Sequence, residues 1–233
     1  METMWLRVRA PFAAFRGFQA GVYRATSAVI PPSTAYGLIL NLAGIEMRGP
    51  MLDWITEICE GLPKLLIAVG QLSTPERCSL YQQLHGYPVG ASGKELSTRT
   101  HGSKFWITPV RREILVGFDG VVGVRSADGE LLARVQSGLR GDLDVPRYGL
   151  PFAGENNLLI DRIDVVNEAP ATTRWYTRVQ ADDPPRKGSC RLTVGINRTD
   201  NSKTTSYLYA PANETTSLPP EGAWTWTPRD DKE

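Results

Sequence analysis

Apolar and polar positions alternate through Trp5-Leu6-Arg7-Val8-Arg9, a period of two that predicts a short strand, closed at Pro11 because proline has no amide to give to a ladder. From Phe12 to Ile30 aromatics, arginines and small residues follow one another without a clean period, which predicts a long loop with the make-up of a working surface. Ile30-Pro31-Pro32-Ser33-Thr34 then predicts a helix. Proline is tolerated at a helix start, Ser33 or Thr34 can cap, and Leu38, Leu42 and Ile45 form an apolar stripe that closes near Gly49-Pro50. A second helix is expected from Met51 to Glu60. A strand at Lys64 to Val69 follows, apolar enough for the middle of a sheet.

Between Gln71 and Gly102 the pattern turns polar and glycine-rich, with Gly86, Gly90, Gly93 and Gly102, and it ends in the strand-like Phe105-Trp106-Ile107. An extended hairpin over about 71–104 is the expectation. Strand propensity returns around Ile114 to Phe118, Gly129 to Leu139 reads as a helix with Leu131, Leu132, Val135 and Leu139 on one side, and Leu158 to Val166 reads as a strand. The order β-α-β, hairpin, β-α-β resembles a ferredoxin-like or RNA-recognition core. The expected fold class is α+β, with that core, a β-hairpin thumb and a small C-terminal β extension. Past Asn167 the chain is rich in Pro, Thr, Asp and aromatics, with strands expected at Trp175 to Gln180, Cys190 to Ile196 and Ser206 to Tyr209. Residues 1–167 are therefore one expected domain and 168–233 a β-rich extension with a frayed tail. There is no internal repeat.

Composition adds limits. Apolar residues make up 41% and charged residues 22%, the balance of a globular protein rather than a disordered or membrane one. The N-terminus lacks the apolar stretch of a signal peptide, so the expected location is cytoplasmic. Cys59, Cys78 and Cys190 are odd in number and widely spaced, against a disulfide framework or zinc site, and no cofactor is expected. A net charge of +1 argues against indiscriminate coating of nucleic acid. The distribution changes that picture, because Arg7, Arg9, Arg16, Arg24 and Arg48 face a single acid, Glu46, between positions 7 and 48. Local basicity within overall neutrality suits a protein that grips a short piece of nucleic acid and gives other surfaces to protein partners.

Catalytic motifs are missing: no phosphate loop with lysine, no GxSxG, no HExxH, no Cys-His metal spacing. The two histidines, His85 and His101, lie in polar, glycine-containing segments that suit exposed or RNA-contacting roles better than acid–base work. Asp182-Asp183 and Asp230-Asp231 have no apolar surroundings that would raise a pKa. For RNA, a helix N-terminus at Ser33-Thr34 offers amides to a phosphate, Arg16 and Arg24 can neutralise it, and Phe18 and Tyr23 can stack on unpaired bases. Phe12 and Phe15 are either further stacking surfaces or core plugs. In the hairpin Lys94, Arg99, His101 and Lys104 form a basic series, and Arg111 and Arg112 flank a strand, one at least within reach of RNA.

Val8-Arg9-Ala10-Pro11-Phe12-Ala13-Ala14-Phe15-Arg16 and Ile30-Pro31-Pro32-Ser33-Thr34-Ala35-Tyr36-Gly37-Leu38-Ile39-Leu40-Asn41-Leu42-Ala43-Gly44-Ile45 resemble the Cas-five family of type I CRISPR complexes, a branch of the repeat-associated RNA-binding superfamily. The opening wording most resembles the subtype first described in developmental operons. Arg147-Tyr148-Gly149-Leu150-Pro151-Phe152-Ala153-Gly154 is similar to the family's glycine-containing loop, with Glu155 where the family often has a basic residue. The resemblance implies a non-catalytic subunit that caps the 5′ handle of the crRNA through that loop and the residues above. It implies contacts with the backbone (Cas-seven) and large (Cas-eight) subunits, with target DNA near the protospacer-adjacent motif as a further contact, and no membrane. In one subtype this subunit cuts precursor guide RNA, so a metal-independent endoribonuclease is the alternative, and a stand-alone single-stranded RNA binder the third.

Overall fold

The computed structural model describes residues 1–17, 22–49, 56–86, 106–184 and 186–228, with the backbone alone at 84–86 and 106–108. Alternation at the N-terminus produces a longer strand than expected, β1 (Glu2–Ala13), which runs through Pro11. Its neighbour β6 (Arg162–Val166) pairs with it only as far as Arg9, and the pairing with β5 (Trp106–Ser126) skips Pro11, so no ladder bond is asked of the missing amide. The expected loop from 12 to 30 contains a two-residue strand, β2 (Tyr23–Arg24), pinned in parallel to Arg111 and Arg112 of β5.

Helix α1 (Pro32–Leu42) is capped differently from expectation. Pro31 is the N-cap residue and no side chain closes the end; the amides of Thr34 and Ala35 both bond to the Pro31 carbonyl oxygen. With the helix starting at Pro32, Ser33 and Thr34 lie inside its first turn rather than at the cap, and Pro32 at the first helical position has no amide that needs a partner. The helix ends at Leu42 rather than near Gly49-Pro50. The expected helix 51–60 is only partly within the described residues, and its described part, 56–60, is not helical. Its backbone is captured by the segment before it, with Gly49 N donating to Glu57 O and Cys59 N to Met47 O, both at 2.9 Å.

Then come β3 (Leu65–Gln71), β4 (Glu76–Gly86) and β5, whose 21 residues fuse the two strands expected at 105–107 and 114–118. β4 and β5 form the long hairpin, in register from Glu76 opposite Val116 to Gly86 opposite Trp106. Its distal part, expected at 87–104, lies outside the described residues. α2 (Gly129–Arg140) matches expectation, with the Asp128 carboxylate accepting from the amides of Glu130 and Leu131. β6 is shorter than the expected 158–166, because Leu158 to Ile160 fold back on Pro151 to Ala153 instead. β7 (Arg174–Arg178), β8 (Cys190–Gly195) and β9 (Thr205–Pro211) follow, and β10 (Thr225–Thr227) is a strand too short to leave a period in the sequence.

All the strands join one sheet in the order β6-β1-β5-β3-β7-β9-β8, with β10 on β3 and both β2 and β4 on β5. Among the described residues the architecture is α+β: a mostly antiparallel sheet with two α-helices. One face of the central strands, with Leu6, Val8, Ile67 and Val122, packs against Leu38, Ile39 and Leu42 of α1 and Leu132 and Val135 of α2. The other face holds a smaller cluster in which Trp5 meets Trp175 and Trp224 at centroid distances of 5.8 and 5.9 Å. No helix among the described residues is long and apolar enough to cross a membrane.

Candidate nucleic-acid interface

Where β2 crosses the base of the β4–β5 hairpin, arginines concentrate. Strand register sets Tyr23 beside Arg111 and Arg24 beside Arg112, and the Arg111 amide donates to Val22 O at 2.7 Å, so β2 fixes both pairs to β5. β4 adds Arg77, two positions along its pairing from Glu113. Arg16 follows the end of β1. Five arginines, Arg16, Arg24, Arg77, Arg111 and Arg112, are thus brought to the hairpin base, with Arg24 and Arg112 on one face of β5 and Arg77 and Arg111 on the other. Arg16, Arg77 and Arg112 pair with two carboxylates, Glu113 and Glu155, which leaves this group an excess of three positive charges in a chain whose total is +1.

The two glutamates organise the site. Glu113 accepts from the amide of Thr26 at 2.9 Å, from Arg77 Nη1 at 3.2 Å and from the Tyr23 hydroxyl at 3.4 Å, tying the segment after β2 to β5. Glu155 bridges two arginines: Arg16 Nε donates to Oε1 at 2.5 Å, and Arg112 Nη2 donates to Oε2. Arg112 Nη1 reaches Gln82 Oε1 at 2.6 Å, and Arg16 Nη1 donates to the carbonyls of Arg24 and Ala25. Burial lowers the pKa of both guanidiniums; for Arg112 the nearby charges of Arg16 and Arg24 lower it further, while for Arg16 the Glu113 carboxylate opposes the shift.

These contacts correct the picture of Arg16 as an exposed loop arginine. Its side chain is 18% exposed and serves as an inner strut of the site. Arg112 is equally enclosed, whereas Arg24, Arg111 and Tyr23 face solvent, Tyr23 at 50%. Phe15 is a core residue, 1% exposed and edge-on to Phe118 at 5.0 Å; Phe12 is 45% exposed. Phe18, Lys94, Arg99, His101 and Lys104 lie outside the described residues. Ser33 and Thr34 are half-buried in the first turn of α1, and the Thr34 amide offered to a phosphate is already bonded to Pro31 O at 3.0 Å.

The loop after α2 forms a second, connected surface. Asn41 Nδ2 holds the carbonyl of Tyr148 at 2.6 Å, and the Arg48 guanidinium lies 3.3 Å over the Tyr148 ring, covering one face of it. Arg147 is half-buried, while Tyr148, Gly149, Leu150 and Phe152 are exposed. At its far end the Ala14 amide bonds Ala153 O at 3.0 Å, delivering Glu155 to the arginines. The expected residues therefore fall into an arginine group at the hairpin base and an aromatic loop group joined through 153–155. Arg77, Glu113 and Gln82 were missed. The alternating pattern of the hairpin strands carries them, but only the register across β4 and β5 brings them together.

Residues 3–113 match the family model described as CRISPR-associated protein (Cas_Cas5), a span from β1 to the middle of β5. No curated protein matches the chain. Among solved structures, one described as a CRISPR RNA-guided surveillance complex is similar with a TM-score of 0.57 at 13% identity, covering 92% of this chain and 91% of that one. Another, described as a crystal structure of a Cas protein, has a TM-score of 0.50 at 11% identity over 93% of this chain and 96% of its own. At such identities the likeness concerns the fold.

Proposed function

We propose that this chain is a Cas-five subunit of a type I CRISPR surveillance complex, non-catalytic, holding the 5′ handle of the crRNA at the base of its β4–β5 hairpin. The observation that carries the reading is the excess of three positive charges where β2 meets the hairpin, in a molecule of net charge +1. Guanidinium groups suit this work because each presents several fixed donors to phosphate oxygens, and phosphate contacts supply most of the affinity for single-stranded RNA. Exposed Tyr23 beside Arg24, and Tyr148 and Phe152 in the neighbouring loop, offer rings to unpaired bases. The family match over residues 3–113 supports the assignment to a CRISPR complex. The order β6-β1-β5-β3, with α1 and α2 as the two crossovers, supports reading the core as ferredoxin-like, the arrangement of RNA-recognition domains. The remaining surfaces are proposed to meet the backbone and large subunits.

The experiment is co-expression of the tagged chain with its neighbouring subunits and a guide. The complex is expected to carry RNA, and Arg24→Ala with Arg111→Ala to weaken handle binding about tenfold or more and flatten the salt slope by roughly 2, with an unchanged melting temperature. Unaltered RNA retention in that double variant would refute the site. Incubation with repeat RNA in EDTA should leave the RNA intact; site-specific cuts would replace this reading with that of a nuclease.

A further inference from the structure

Glu155 is the one described acid in the arginine cluster that binds two of its guanidiniums. Its two oxygens accept from Arg16 Nε at 2.5 Å and from Arg112 Nη2, and the side chains are enclosed, with 14% exposure for the glutamate and 18% for each arginine. The fold places it there deliberately close. Gly154 adopts a φ of +90°, and a Cβ at that position would strike the carbonyl oxygen of Ala14, so only glycine lets the chain approach and hand Glu155 to the arginines. A carboxylate bridging two guanidiniums through two oxygens has the charge sign and geometry of a phosphodiester with its two non-bridging oxygens. One carboxylate leaves the cluster unfinished. Arg16 Nη2 is buried without an acceptor among the described residues. Burial first, and then the charges of Arg16 and Arg24, hold Arg112 below its ordinary pKa.

We propose that Glu155 is a built-in stand-in for an RNA phosphate: it orders Arg16 and Arg112 in the free protein and competes with a phosphodiester for them. This rests on the RNA-holding reading above and adds to it a residue that restrains binding. A site whose cations are already partly neutralised grips nucleic acid only when further contacts help, and removing the negative charge of Glu155 should release that restraint.

The test compares the full-length chain with Glu155→Gln, titrated against a short labelled single-stranded RNA by fluorescence anisotropy, with protein up to about 100 µM to cover weak non-specific binding. The variant is expected to bind about threefold to tenfold tighter at low salt, with a salt slope steeper by roughly 1. Equal or weaker binding by a variant that melts like the wild type overturns the proposal. The RNA reading then stands if Arg24→Ala still weakens the wild type. Absence of binding by both proteins overturns both. Should Glu155→Gln fail to fold because Arg16 and Arg112 repel, the comparison becomes Arg112→Gln against Arg112→Gln with Glu155→Gln, in which the double variant must again bind tighter.

Discussion

A Cβ on Gly138 would run into the carbonyl oxygen of Leu42, so α2 meets the last turn of α1 backbone against backbone. Arg134, one turn earlier on α2, donates from Nε to Ala43 O at 3.1 Å and satisfies a carbonyl at the end of α1. Two effects oppose each other in Gly138→Ala. Helix propensity favours alanine by about 1 kcal/mol, but the clash is with backbone rather than a flexible side chain and must push the helices apart. The clash wins, and the substitution is expected to cost about 2 kcal/mol and lower the melting midpoint by roughly 4–8 °C. A midpoint equal to or above that of the wild type would show that the helices are not in this contact. At this scale the sequence is a partial guide. Arg24 and Tyr23 are where their types predict, while Arg16 is hidden because its acid partner lies 139 residues away, a separation no local pattern reports.

The elements were legible where one period dominates. α2 has a capping aspartate, a clear apolar stripe and a C-terminal glycine, and it forms within one residue of expectation. Boundaries shifted where tertiary pairing competes with local preference: Leu158 to Ile160 have strand character yet fold onto Pro151 to Ala153, and 56–60 pairs with 47–49 instead of coiling. The hairpin shows both outcomes. Its polar, glycine-bearing texture pointed to an element leaving the core, and β4 does pair with β5 alone, off the main order of the sheet. Protection of its amides should follow that topology. In β3, Leu66 to Val69 pair with β5 on one side and Leu65 to Ile67 with β10 on the other, and Leu65, Ile67, Ala68 and Val69 are at most 1% exposed. Leu80 and Tyr81 in β4 are 45% and 66% exposed. Hydrogen exchange on the free protein is expected to open Ser79 to Gln83 well before Leu65 to Val69, and to slow in the former when RNA binds. Equal protection in the two segments, with RNA and without it, would contradict the proposed RNA contact at the hairpin base.

At the scale of the whole chain, a boundary near residue 167 is visible in composition, but the packing crosses it. β7 continues the sheet directly from β3, with Trp175 opposite Gly70, and β10 returns to pair with β3 on the strand's N-terminal half. Tyr176, Leu192, Val194 and Tyr209 lie in the same cluster as α1 and β1, and Trp175 closes the opposite face against Trp5. The hydroxyl of Tyr176 also bonds Gln71 Oε1 at 3.1 Å inside the sheet. Removing residues 168–233 would therefore expose the apolar surface that these five side chains cover, at about 1.5–3 kcal/mol each, a loss on the order of 10 kcal/mol against a typical total stability of 5–15 kcal/mol. It would also leave the edge of β3 with unpaired backbone groups, a template for aggregation. The fragment 1–167 is thus expected to be insoluble or to lack a cooperative thermal transition, although it contains every arginine of the hairpin base. A soluble fragment with a sharp transition and wild-type RNA affinity would show that the C-terminal strands are an accessory layer and not part of the folding unit.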